Sequence, residues 1–201
     1  MNEQEIEVKL YVNDLKKVKM RLQDLKAHLI QPRTHEINFR YDLPDGSLRA
    51  KGQVLRLRRD TNTILTYKGP SNIIDGVFSR TELETTMGDL ETAQHLLEAL
   101  GYVQILIYEK SRAVYDLNGC HVMLDQLPIG DFVEIEGADA SSIRKTSLLL
   151  GLDFESAVGV GYVRLFEIYN SNYGFPLSDL TFEALHRKKP IPEELGVRAA
   201  D

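Results

Sequence analysis

The chain has no tryptophan and one cysteine, Cys120, among 201 residues. A single thiol excludes an internal disulfide and any zinc site built on cysteines. Long apolar runs are missing too: nothing approaches the ~18 residues of a membrane-spanning helix, so no membrane partner is expected. Nor is there an excess of positive charge, since 24 Lys and Arg stand against 30 Asp and Glu, a net charge of −6. That balance argues against general nucleic-acid binding but leaves room for a local basic pocket. The start, Met1-Asn2-Glu3-Gln4-Glu5, is acidic and runs straight into a strand pattern, unlike a signal peptide. A reducing, cytoplasmic home is the simple reading.

What is present is period-2 alternation. Residues 5–11 alternate charged and apolar, the mark of a strand. A helix capped by Asn13 or Asp14 follows, with Leu15, Val18, Leu22, Leu25 and Leu29 at helical spacing. Strands are then expected at 36–42, 53–60 and 63–68. A second round repeats the order: a strand at 78–86, a helix capped by Asp89 and stopped by Gly101, and strands at 104–116, 119–126 and 131–136. Asn118-Gly119 marks a hairpin turn. Residues 71–76 read as a loop, a connector or a lid. Two further helices are expected at about 141–150 and 156–170. The expected fold is α+β: an eight-stranded, mainly antiparallel β-barrel with helices packed outside, closure removing exposed strand edges. Residues 1–170 form that domain, and 171–201, punctuated by Pro176, Pro190 and Pro192, read as an appendage with one short helix at 180–185.

Residues i, i+2 and i+4 of a strand share a face. Glu5, Glu7 and Lys9 therefore fall together, as do Arg56 and Arg58, Thr66 and Lys68, Arg80, Glu82 and Glu84, Lys110 and Arg112, and Glu134 and Glu136; Asp125 ends its strand. Each set alone reads as the solvated side of a half-buried sheet. Together they are like-sign pairs, whereas a solubilising surface mixes signs. Helices covering the outer face would turn these charges into a lumen. Burying so many charges only to pair them with each other is costly. A ligand needing both signs accounts for them: Arg and Lys grip phosphate oxygens, and carboxylates hold Mg²⁺ or Mn²⁺. The five histidines show no ligand-like clustering.

Glu5-Ile6-Glu7-Val8-Lys9 matches the Glu-x-Glu-x-Lys hallmark of the CYTH, or triphosphate tunnel metalloenzyme, superfamily, which the chain resembles. The likeness continues through Tyr41-Asp42, Leu48-Arg49, Leu55-Arg56-Leu57-Arg58, Thr66-Tyr67-Lys68-Gly69-Pro70 and Arg80-Thr81-Glu82-Leu83-Glu84. It runs on through Tyr108-Glu109-Lys110-Ser111-Arg112, Leu124-Asp125, Gly130 to Glu136, and Gly161-Tyr162. Two positions depart from the family pattern: Leu43 stands where Thr is usual, and Gly161 where Ser is usual. The resemblance implies that Lys9, Arg56, Arg58, Lys68 and Arg112, with Arg80 and Lys110 beside them, bind the phosphates. It implies that Glu5, Glu7, Asp125, Glu134 and Glu136, with Glu82 and Glu84 on a neighbouring strand, bind Mg²⁺ or Mn²⁺. Lys9, Glu5 and Glu7 are the catalytic candidates. Flanking carboxylates raise the pKa of Lys9, which favours a phosphate clamp over a general base.

The expected activity is metal-dependent hydrolysis of a triphosphate-containing small molecule: tripolyphosphate, ATP or thiamine triphosphate. The alternatives are a class IV adenylyl cyclase, forming cyclic AMP and pyrophosphate from ATP, and a non-catalytic polyphosphate- or nucleotide-binding module. A monomer or a homodimer fits equally well.

Overall fold

A computed structural model describes residues 4–173, 179–185 and 190–201. β1 (Gln4–Val12) leads into α1 (Leu15–Asp24), whose N-terminus is capped by the Asp14 carboxylate accepting from the Lys16 amide at 2.9 Å. α1 ends well before Leu29, which the sequence placed on it. Lys26 takes a left-handed conformation (φ 57°) and the Ala27 amide bonds back to the Leu22 carbonyl, turning the chain out of the helix. Leu29 instead opens β2 (His28–Asp42), a strand more than twice the expected length.

α2 (Ser47–Ala50), β3 (Val54–Arg59) and β4 (Thr63–Lys68) follow, then β5 (Asn72–Ile74), β6 (Val77–Met87), α3 (Leu90–Ala99) and β7 (Val103–Leu117). β8 (Cys120–Leu127), β9 (Gly130–Glu136), α4 (Ala140–Leu149) and α5 (Tyr162–Tyr173) complete the main elements. The helix expected from residue 156 starts at Tyr162, after a short 3-10 turn at Phe154–Ser156. At 182–185 there is one turn rather than a helix.

All nine strands belong to one antiparallel sheet in the order β1-β9-β8-β7-β2-β3-β4-β6-β5, with β1 also touching β6. The closed eight-stranded barrel expected from sequence is therefore corrected. β5 is a ninth strand and a free edge. It is folded onto β6 by Asp75 and Gly76, both left-handed (φ 53° and 82°), in the segment read as a loop. β1 and β6 pair over only four positions, Gln4–Glu7 against Phe78–Thr81. Beyond them β1 turns that edge to residues 157–158, the Lys9 carbonyl accepting from the Val158 amide at 2.8 Å. Chain from outside the sheet thus occupies the place where continued pairing would have closed a barrel.

Apolar side chains on the outer sheet face carry the core. Val8, Leu10, Val122, Leu124, Val133 and Ile135 meet Val18 and Leu22 of α1 and Ile143 of α4. Burial of each such residue contributes about 1.5–3 kcal/mol. Leu55 and Leu57 pack with Ala93 and Leu97 of α3. Phe132, on the same face of β9 as Glu134, packs with Leu165, Phe166 and Tyr169 of α5. Leu180 and Leu195 join the α5 cluster, Leu180 fully buried. With the apolar residues spent outward, the alternate residues face inward and line a cavity.

Candidate active site

The cavity measures about 700 Å³. Thirteen of the fourteen site residues expected from sequence line it: Glu5, Glu7, Lys9, Arg56, Arg58, Lys68, Arg80, Glu82, Glu84, Lys110, Arg112, Glu134 and Glu136. Asp125 lies just beneath the lining and is fully buried.

The charges are held in contiguous ion-pair clusters. In the first, Lys9 Nζ lies 2.9 Å from Glu134, and Arg112 donates to both Asp125 and Glu134, reaching Asp125 Oδ1 through Nε at 2.6 Å. Lys110 reaches Asp125 at 3.2 Å. In the second, Glu5 accepts from Lys68 and from Arg80 at 2.7 Å each, Lys68 also reaches Glu82 at 3.1 Å, and Arg80 lies 3.6 Å from Glu7. In the third, Arg56 donates to Thr66 at 3.2 Å and to Glu84 at 3.4 Å.

These contacts set the protonation states. Burial opposes ionisation of Glu5, but Lys68, a hydrogen bond with Glu82, and Arg80 together hold its pKa at about 2. Burial and the shared hydrogen bond with Glu5 push Glu82 the other way, to about 7 despite Lys68. Glu7 is raised by burial and by the nearby Glu134 carboxylate, and Glu136 by burial and by Glu5. Glu134 sits well below the carboxylate range, because Lys9 and Arg112 outweigh its burial. For Lys9, burial is outweighed by Glu134 and Glu7, so its pKa is raised and it stays cationic at neutral pH.

Sequence reasoning missed several residues here. Glu36, Asn38 and Arg40 form the inward face of β2, and Glu36 and Arg40 line the cavity. Their mixed character hid them, since no like-sign pair marks that strand. Asp60, read as part of a turn, lies 3.4 Å from Arg58. Tyr108 lies 3.4 Å from Arg56 through its hydroxyl, and the Tyr162 hydroxyl donates to Asp125 at 3.0 Å. Asp42 needs no threonine after it, because its carboxylate accepts from the amides of Leu43, Leu48 and Arg49.

Among the described residues, no three His, Cys, Asp or Glu side chains converge closely enough to hold a metal ion as they stand. The donor chemistry nevertheless fits Mg²⁺ or Mn²⁺. Glu5, Glu7, Glu134 and Glu136 are hard oxygen donors. Glu7 and Glu136 are both pushed up by burial and then by neighbouring carboxylates, a crowding that a divalent cation relieves. Asp125 differs, being already taken up by Arg112, Lys110 and Tyr162.

Comparison with known proteins adds to this geometry. Residues 3–149 match the model of the CYTH domain family. The chain is 30% identical over 135 residues to the adenylate cyclase CyaB of Aeromonas hydrophila, covering 65% of this chain and 67% of that one. It is 28% identical over 148 residues to a Methanocaldococcus jannaschii protein, covering 72% and 83%. The solved structure of the Pyrococcus horikoshii protein PH1012 superposes with a TM-score of 0.67 at 26% identity, over 79% of this chain and 97% of that one. With a family match spanning most of the chain, this protein belongs to the CYTH domain family, and so to the triphosphate tunnel metalloenzymes, a superfamily of triphosphate-processing enzymes.

Proposed function

We propose that this chain hydrolyses a linear triphosphate with the help of Mg²⁺ or Mn²⁺. One observation carries the reading: eight cationic side chains (Lys9, Arg40, Arg56, Arg58, Lys68, Arg80, Lys110 and Arg112) line one cavity together with a set of buried carboxylates. Such a wall neutralises a polyanion, and the carboxylates supply oxygen ligands for its counter-cation.

Phosphoryl oxygens replace carboxylates as partners of Arg56, Lys68, Lys110 and Arg112, through charge-assisted hydrogen bonds. Glu5 and Glu134, so released, would hold the metal together with Glu7 and Glu136. A bound divalent ion supplies charge neutralisation at the phosphoryl group and lowers the pKa of a water. Water oxygen bonds to the terminal phosphorus as the bridging P–O bond breaks, leaving orthophosphate and a diphosphate. Lys9 stays protonated beside Glu134 and Glu7, so it clamps phosphate and does not accept the proton of the water. Asp125 fixes the Arg112 guanidinium through two of its donors.

Cyclisation of ATP is the second reading, favoured by the named activity of the Aeromonas relative. Against it, of the aromatic rings lining the cavity, those of Tyr108, His121 and Tyr162, the Tyr162 ring has Lys9 standing over it at 4.4 Å from its centroid. That face is closed to a stacking base. Incubating the protein with ATP and Mg²⁺ or Mn²⁺ and resolving every product by chromatography separates the two. Hydrolysis gives orthophosphate and ADP, whereas cyclic AMP with stoichiometric pyrophosphate overturns the proposal.

A further inference from the structure

Arg40 stands apart from the other cations of the cavity. Each of those has a carboxylate within ion-pair distance, and Arg40 has none among the described residues. Its Nε is buried with no hydrogen-bond partner. It lies directly across the strand pair from Arg56, Arg40 on β2 facing Arg56 on β3. Two residues earlier on the same face of β2, Asn38 is fully buried with both side-chain amide atoms unpartnered.

Like charges placed directly opposite each other in a sheet are destabilising. Burial lowers the pKa of Arg40, and Arg56 and Arg80 push it the same way against the opposing pull of Tyr108 and Asp42. Such an arrangement persists when a ligand supplies the missing anion. Lys110 faces Glu36, four residues before Arg40 on β2, about 13 Å along the strand.

We infer that Arg40, with Arg56, seats the phosphoryl group at the end of the substrate remote from Lys110, so that the preferred substrate is anionic at both ends: inorganic tripolyphosphate rather than a nucleoside triphosphate. The inference rests on the triphosphate reading above. A nucleoside triphosphate brings a neutral sugar and base to that end and leaves Arg40 uncompensated.

Titration calorimetry of Arg40→Met with tripolyphosphate and with ATP, each with Mg²⁺, tests it beside the wild type. Tripolyphosphate affinity is expected to fall by about tenfold or more, the size of a lost charge-assisted contact, while ATP affinity changes less than about threefold. The melting temperature of the ligand-free variant is expected to equal or exceed that of the wild type, because an uncompensated charge has been removed; a merely structural arginine would lower it. An equal loss for both ligands, or for neither, overturns the assignment of this end while leaving the triphosphate reading intact. Failure of the wild type to bind either ligand overturns both. If Arg40→Met does not fold, Arg40→Lys keeps the charge but not the paired donors. It is expected to show a smaller loss confined to tripolyphosphate, and no selective loss overturns the inference.

Discussion

The Tyr162 hydroxyl donates to Oδ2 of Asp125 at 3.0 Å, tying the first turn of α5 to the floor of the cavity. Asp125 is fully buried, and Arg112 and Lys110 complete its shell. Tyr162→Phe removes one of these partners and leaves the carboxylate short of a donor. The expected cost is about 1–2 kcal/mol in urea unfolding, with a rise in KM as Arg112 loses its fixed support. Unchanged stability and KM would mean that water takes over the contact.

At Gly130 the backbone is left-handed (φ 150°), and a Cβ there would stand 2.6 Å from Cε2 of Tyr11. Gly130→Ala therefore forces Tyr11 or the β8–β9 turn to shift, at about 1–3 kcal/mol. Thermal unfolding reads the loss directly, and an unchanged melting temperature contradicts it.

Glu82 carries a pH signature. Its pKa rises from 4.5 to about 7 on folding, so the proton is held more tightly by the folded state. Its contribution to stability is full below the unfolded value of 4.5 and is lost as pH rises through about 7. Glu82→Gln keeps a neutral group there at every pH. Relative to the wild type, its melting temperature is expected to be higher at pH 8.5 than at pH 5.5. A difference that is the same at both pH values removes Glu82 as the titrating group. Glu5, held at about 2, acts in the opposite window, its contribution being lost as pH falls from 4.5 toward 2.

Chelation tests the carboxylate set. With excess EDTA, turnover is expected to fall by about two orders of magnitude or more, as the Lewis-acid contribution to phosphoryl transfer is worth several kcal/mol. Millimolar Mg²⁺ should raise the melting temperature of the substrate-free chain, and Glu7→Gln should blunt that rise. Full activity in EDTA would leave the carboxylates with a purely structural role.

Much of this site was legible in the sequence because strand periodicity carries it. Like-sign pairs such as Arg56/Arg58 and Lys110/Arg112 sit two residues apart with Leu57 or a small residue between, and folding turns both members of each pair into one cavity. Arg40 was not legible, since its inward neighbours on β2 are a neutral amide and an acid, and flanking Phe39 and Tyr41 carry no signal of an inner face. The contacts of Tyr162 and Asp60 depend on chain meeting at long range or across a turn, which period-2 patterns do not encode. Asp75-Gly76 is a readable hairpin signal inside residues 71–76, the segment read as a loop. That turn makes the ninth strand. The separation of β1 from β6 beyond Glu7 depends on residues 157–158 docking from far along the chain, which no local pattern announces.

The central claim is that this cavity binds and cleaves a triphosphate, with Lys9 as a clamp. The most direct test is steady-state release of orthophosphate from tripolyphosphate with Mg²⁺, for the wild type and Lys9→Ala. The expected result is wild-type turnover and, in Lys9→Ala, a raised KM together with weaker tripolyphosphate binding. No release from the wild type contradicts the hydrolase reading, and loss of turnover in Lys9→Ala with unchanged binding contradicts the clamp.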